Sequence, residues 1–128
     1  MEIGMYVRNV YGGIGKIIEC PDNLKDAYNG YLWVQIGYEQ SPINEDKIVK
    51  TSQRIKDLIE EDDVIEYEFY GIDSICKVIK SNDTLGVGWD EDGDFISLDD
   101  IDIKSFMTSE DFEDHKYRFV NNKELEEI

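Results

Sequence analysis

Residues 63–69 decide the fold class, and they read Asp63-Val64-Ile65-Glu66-Tyr67-Glu68-Phe69. Apolar and acidic side chains alternate one by one along this stretch, which is the pattern of a β-strand with one buried face. The Tyr70-Gly71 pair that follows predicts a turn, and residues 75–79 predict the next strand. The stretch is therefore interpreted as the first strand of a hairpin.

The same plan of short strands and turns fills the rest of the chain. In the first half, the pattern predicts strands at residues 5–8, 16–20, 30–36 and 47–50, with turns at residues 11–15 and 41–42. In the second half, it predicts further strands at residues 85–89, 94–98, 101–104 and 117–120. A short helical segment is expected at residues 52–59, where Ile55, Leu58 and Ile59 recur at helical spacing, and a second one at residues 109–115.

The two halves share an order of elements. Each has a Tyr-Gly turn, a strand that contains lysine, a strand that carries a tryptophan (Trp33 or Trp89), and a short helix at its end. Five short strands in about 50 residues suit a small barrel, which limits exposed sheet edges. We therefore predict a mainly β protein of two tandem SH3-like barrels, residues 1–56 and 57–128, each followed by a short helical segment. The alternative is a single mixed β domain.

The net charge of −17 belongs entirely to residues 57–128. Residues 1–56 balance seven acidic against seven basic side chains, whereas residues 57–128 hold 23 acidic and six basic ones. Such a field repels phosphate, so we expect no direct binding to nucleic acid. It attracts basic clefts instead, and therefore predicts a basic protein partner. The alternative is a surface whose charge only improves solubility.

Two runs without any basic residue, at residues 57–68 and 90–102, hold seven acids each. Carboxylates displayed at regular spacing imitate a phosphate backbone and suit a basic nucleic-acid channel. We take eight acids of these runs as candidate partner-binding residues: Asp62, Asp63, Glu66, Glu68, Asp90, Glu91, Asp92 and Asp94.

The sequence contains no legible catalytic or metal-binding constellation. Residues 90–93 resemble part of an EF-hand loop, but placing Gly93 at the sixth loop position puts Gly88 at the first, which offers no carboxylate. His115 is the one histidine, and no serine or cysteine motif accompanies it. We therefore predict a protein without catalytic residues, metal or cofactor.

Cysteine usage and the N-terminal sequence bear on the cellular compartment. Cys20 and Cys76 stand in no metal-binding or redox motif, which favours reduced, buried thiols, with a disulfide as the alternative. No secretory pattern opens the chain, and no apolar run has the length of a membrane span. We expect a cytoplasmic protein without membrane contact.

Two family resemblances add context. The opening, residues 3–17, resembles the first hairpin of SH3-like or Tudor-like modules, including the RNA-polymerase-interacting domain of CarD-type proteins. The whole chain resembles small uncharacterised proteins of phages and mobile elements from clostridia and related Gram-positive bacteria. That likeness rests on the opening and on residues 55–60, 103–105, 108–113 and Tyr117. It departs at residues 61–64, where a glycine is expected before the strand.

These observations favour a non-catalytic protein of a phage or mobile element that inhibits a basic host protein. The expected target is a nuclease of a CRISPR or restriction system, or another nucleic-acid-binding protein, blocked by nucleic-acid mimicry. One alternative is a transcription adaptor that binds RNA polymerase through the first half. Another is a sponge for a small ligand.

Overall fold

Short alternating segments separated by glycine and asparagine turns fold here as antiparallel strands. The computed structural model describes residues 2–88, 94–114 and 119–128. Strands account for 47% of the structure and helical segments for 19%, so the predicted mainly β class is confirmed. Trp89, the turn at residues 90–93, His115 and residues 117–118 of the last predicted strand lie outside the described residues.

The chain divides into two compact units. The first unit is Met1–Leu58 together with Glu127–Ile128, and the second unit is Ile59–Glu126. The division falls two residues after the boundary predicted from the sequence.

In the first unit, a meander of four strands is completed by a fifth strand that returns to the first. The strands are β1 (Tyr6–Asn9), β2 (Ile14–Ile18), β3 (Leu32–Ile36), β4 (Glu39–Ile43) and β5 (Ile48–Ser52). They form one sheet in the order β4-β3-β2-β1-β5, with antiparallel neighbours. Short 3-10 helices lie at Asp22–Leu24, Glu45–Lys47 and Ile55–Leu58.

The core of the first unit comes from the alternation of its strands. Val7, Ile17 and Val34 are buried together, with partly buried apolar side chains packed around them. Arg8 is also fully buried, and its Nη1 donates a hydrogen bond of 3.0 Å to the Leu58 carbonyl. This bond ties the 3-10 helix at Ile55–Leu58 to β1.

The second unit contains two small sheets. Its strands are β6 (Val64–Phe69), β7 (Ile72–Lys77), β8 (Ile79–Ser81), β9 (Thr84–Gly88), β10 (Phe95–Ser97), β11 (Asp102–Met107) and β12 (Val120–Asn121). Its helices are α1 (Ser109–Glu113) and α2 (Asn122–Glu126), and a 3-10 helix lies at Leu98–Asp100. The sheet orders are β10-β9-β8 and β12-β11-β6-β7.

The pairing order of the first unit recurs in the second. Only Val78 separates β7 from β8, so the two together occupy the place of one bent strand. The order β10-β9-β8/β7-β6-β11 then corresponds to β4-β3-β2-β1-β5, and a 3-10 helix precedes both β5 and β11. In the second unit, β12 extends the sheet beyond β11. Among the described strands, no ladder joins β4 to β5 or β10 to β11, and the sheets are not closed barrels.

Three local predictions need correction. Residues 41–42, predicted as a turn, lie inside β4, because a strand at the sheet edge tolerates the missing N–H of Pro42. The helix predicted at residues 52–59 is a 3-10 helix of four residues, Ile55–Leu58. The predicted strand at residues 75–79 is divided at Val78, whose N–H donates to the Asp63 carbonyl at 2.7 Å.

Two further predictions concern the state of the cysteines and the presence of membrane-spanning segments. Cys20 and Cys76 form no disulfide, and both are half-buried rather than core residues. In the part of the chain that the structure describes, no helix is both long and apolar enough to cross a membrane.

Candidate functional site

An open groove of about 600 Å³ lies on the second unit. It is formed where β6 ends, where β10 runs, and where the chain leaves the 3-10 helix to enter β11. Its lining combines three carboxylates with three aromatic rings and one aliphatic side chain: Glu68, Asp100, Asp102, Phe69, Tyr70, Phe95 and Ile96. We refer to Glu68, Asp100 and Asp102 as the rim carboxylates.

The β6–β7 hairpin positions one wall of the groove. Ile65 and Tyr67 point to the buried face of β6, while Glu66 and Glu68 lie on the other face and are half-buried. Phe69 pairs with Ile72, so only two residues, Tyr70 and Gly71, make the turn. Both have positive φ, 52° and 76°, as in a type I′ hairpin turn.

A glycine positions the opposite wall. Gly86 on β9 pairs with Ser97 on β10, in register with Phe95 opposite Gly88. A Cβ atom at Gly86 would collide with the Ile96 carbonyl and would come within 2.6 Å of the Phe95 ring. The absence of a side chain at Gly86 therefore lets β10 approach closely and lets the Phe95 ring lie over the strand.

Negative charge accumulates across the neighbouring strands. Glu68 lies directly opposite Asp102 on β11 and opposite Asp73 on β7. The Lys104 ammonium is 2.8 Å from Asp73 Oδ1 and 3.4 Å from Glu68 Oε2. The hydrogen bond to Asp73 is the main cause of a raised pKa at Lys104, and Glu68 adds to it. Lys104 thus pairs with Asp73 and Glu68, while Asp102 is not one of its partners.

Two rim carboxylates lack even this compensation. Within the described ranges, neither Asp100 nor Asp102 forms an ion pair with a lysine or arginine, and both are exposed. Like charges directly opposite in a sheet repel each other, which applies to the Glu68–Asp102 pair. The groove therefore offers an electrostatic environment that favours a cation.

The titratable side chains that line the groove are three carboxylates and the Tyr70 phenol, and no serine, cysteine, histidine or lysine is among the lining residues. Nearby Tyr67 is buried, and burial, with the Cys76 thiol 3.6 Å from its hydroxyl, raises the pKa of Tyr67 to about 12. Among the described residues, no three His, Cys, Asp or Glu side chains gather as a metal site.

The structure spreads the predicted partner-binding acids over several positions. Asp62 is exposed just before β6, and its Oδ1 lies 3.7 Å from Lys77 Nζ. Glu68 lies near the other end of β6, about 13 Å along the strand from Val64. Glu66 is half-buried opposite Ile75, and Asp94 is exposed immediately before β10. Asp90, Glu91 and Asp92 lie outside the described residues.

Asp63 requires a correction, because it is fully buried and cannot contact a partner. Its Oδ2 accepts a hydrogen bond from the Glu60 N–H and its Oδ1 one from the Ser109 N–H, each at 2.8 Å. The carboxylate thus joins the turn before β6 to the start of α1. This structural role was not predicted, because Asp63 stands in an acidic run of the sequence.

Sequence reasoning missed six of the seven groove residues: Phe69, Tyr70, Phe95, Ile96, Asp100 and Asp102. Asp100 and Asp102 were within the acidic run at residues 90–102, but the run gave no reason to prefer them. The one available signal was Tyr70. A tyrosine is unusual at the first position of a two-residue hairpin turn, because that position requires positive φ.

Comparisons with known proteins give no relative. No protein-family model matches the chain, no curated protein is significantly similar to it, and no solved structure matches its fold. The resemblances drawn from the sequence therefore stay predictions.

Proposed function

We propose that this chain is a non-catalytic interaction protein, of the kind that phages and mobile elements encode, and that its second unit inhibits a basic host protein. The target class is a nuclease or another protein that binds nucleic acid. The observation that carries the proposal is the segregation of charge between two units with the same strand order. The second unit holds 21 acidic and six basic residues, against nine and seven in the first.

The proposed mechanism is occupation of a basic cleft in place of nucleic acid. Exposed acids at strand ends and turns, including Asp62, Asp94, Asp99, Asp100 and Asp102, support this mechanism, because their carboxylates reach solvent. Complementary charge accelerates association and makes binding sensitive to salt. A partner with a phosphate-binding channel fits such a surface best.

We also propose that each unit is a small SH3-like barrel. The pairing of β5 with β1 and of β11 with β6, each after a 3-10 helix, supports this proposal, since an SH3-like barrel curls one five-stranded sheet on itself. The formation of the β1–β2 hairpin, which carries the resemblance to CarD-type modules, supports it for the first unit. An experimental structure with a closed sheet in each unit is the expected outcome.

Partner capture with charge-reversed variants tests the function. Asp94, Asp99, Asp100 and Asp102 are changed together to lysine, and the control changes Asp26, Glu39, Glu45 and Asp46 of the first unit, which are equally exposed. Both variants gain the same charge. Wild type and control should retain the same basic protein from a Gram-positive host lysate, whereas the second-unit variant should lose it. The captured protein should be displaced by DNA and should bind more weakly as salt rises.

Two outcomes oppose the proposal. Equal loss in both variants would mean that only net charge matters, and no second-unit surface would be involved. Capture of RNA polymerase by wild type and by the second-unit variant alike would favour a transcription adaptor that acts through the first unit.

A further inference from the structure

We propose that the groove binds the guanidinium group of an arginine in an exposed segment of the basic partner. This inference rests on the proposed function and names the chemistry that the second unit recognises.

The charge around the groove matches a guanidinium. Glu68 and Asp102 lie directly opposite each other on β6 and β11, and Asp100 precedes β11 on the same rim. A planar guanidinium carries five N–H donors in a fixed fork and can bond two carboxylates at once. An ammonium is a compact point charge, and Lys104 already places one beside Glu68 at 3.4 Å. The rim carboxylates therefore suit arginine better than lysine.

The aromatic walls add a second contact for the same group. The Phe69 and Tyr70 rings lie 4.4 Å apart between centroids, at an interplanar angle of 64°. Phe95 is half-buried on the opposite side, while Tyr70 is 86% exposed. A cation over an aromatic face is attracted to it, and arginine also stacks flat on the ring. An exposed ring beside carboxylates gives both contacts to one side chain.

The backbone at Tyr70 indicates that the ring is present for a reason other than the turn. Tyr70 has φ of 52°, a region that bulky residues rarely adopt, whereas asparagine and glycine adopt it readily. The β8–β9 turn of the same unit has the same two-residue form, with positive φ at Asn82 and Asp83, and uses residues suited to it. Strain held at an exposed position is characteristic of binding sites.

The substitution Tyr70→Asn tests the inference without endangering the fold. Asparagine followed by Gly71 is the preferred pair for a type I′ turn, so the melting temperature should rise. The control is Tyr38→Asn in the β3–β4 turn of the first unit, where Tyr38 is 100% exposed. The probe is a short Gly/Ser peptide that contains one arginine. Its binding is monitored at low salt through the amide chemical shifts of the protein. Matched peptides carry lysine or neutral citrulline.

In wild type, the arginine peptide should shift amides of residues 68–70, 95–96 and 100–102. Tyr70→Asn should raise its Kd about fivefold, the effect of losing one cation–aromatic contact, while Tyr38→Asn leaves it unchanged. Lysine should bind more weakly than arginine, and citrulline should not bind. Shifts centred elsewhere, equal binding of citrulline, or an unchanged Kd in Tyr70→Asn would overturn the inference.

The two proposals fail in different ways. In one outcome, the charge-reversed second-unit variant loses the captured partner, Tyr70→Asn retains it, and the peptide shifts no amides in the groove. This outcome overturns the arginine inference and leaves the proposed function standing. If charge reversal leaves capture intact, the proposed function itself is wrong.

Discussion

The two units share one strand order but use polar groups in opposite ways. In the first unit, the fully buried charged side chain is Arg8, which bonds a backbone carbonyl. Among the described residues of the second unit it is Asp63, which bonds two backbone N–H groups. The first unit carries a net charge of −2 and the second −15. Because the same pairing order forms in both, it does not depend on charge, and the acidity of the second unit belongs to its surface.

The largest expected effect comes from Asp63. Asp63→Ala leaves the partly buried Glu60 and Ser109 N–H groups without acceptors, so the free energy of unfolding should fall by about 3 kcal/mol. Denaturant unfolding measures the loss, and hydrogen exchange should place it in residues 59–126. The neighbouring exposed Glu61→Ala is the control and should change stability little. Equal effects at both positions would contradict the structural role of Asp63.

Each unit has a glycine at a close contact between two strands, so the same substitution can be compared in both units. A Cβ at Gly15 would collide with the Gln35 carbonyl, as one at Gly86 would with the Ile96 carbonyl. Gly15→Ala and Gly86→Ala should each reduce stability by about 2 kcal/mol, because the strands must move apart. Hydrogen exchange should accelerate in the first unit for one and in the second for the other. Gly88→Ala is the control, since no described atom lies within 4 Å of its added Cβ.

Alkaline pH should affect the second unit through Tyr67. Its pKa is raised, mainly by burial, to about 12, so the fold favours the neutral phenol. This stabilisation is fully present below pH 10 and is lost as pH rises through 12. At pH 11 the loss should be roughly 1 kcal/mol relative to neutral pH. In Tyr67→Phe, stability should fall less between pH 9 and 11 than in wild type. Parallel pH curves for the two proteins would contradict this assignment.

The smallest effect is expected in the first unit at Asp57. The Arg54 guanidinium bonds this carboxylate at 2.8 Å, and Arg54, followed by the Ser52 hydroxyl, lowers the pKa of Asp57. The pair's stabilisation is present above the ordinary carboxyl pKa and is lost as pH falls through the lowered one. Because both side chains are exposed, Arg54→Ala should cost less than about 1 kcal/mol at neutral pH. Thermal unfolding with and without salt measures it. A larger loss that salt does not reduce would argue for a packing role instead.

Local patterns predicted the strands, while distant contacts made the site. The alternation at residues 63–69 and the Tyr70-Gly71 turn were readable, because period and turn chemistry are local. The β4 strand was missed because proline usually ends a strand, and only the sheet order shows that β4 is an edge. The groove joins residues from β6, β10 and β11, which the register of two sheets brings together. No local pattern carries that register.

The pairing of β5 with β1 and of β11 with β6 also shapes how the chain folds during synthesis. Tyr6 pairs with Ser52, and Val64 pairs with Met107, so each unit closes a long loop late. Hairpins such as β1–β2 and β6–β7 form from local contacts, but closing the long loops slows folding toward milliseconds or seconds. Until β11 emerges from the ribosome, β6 presents an unpaired edge on which other chains can add strands. A chain that stops at Leu58 has a complete first sheet, whereas one that stops at Asp100 is exposed to aggregation.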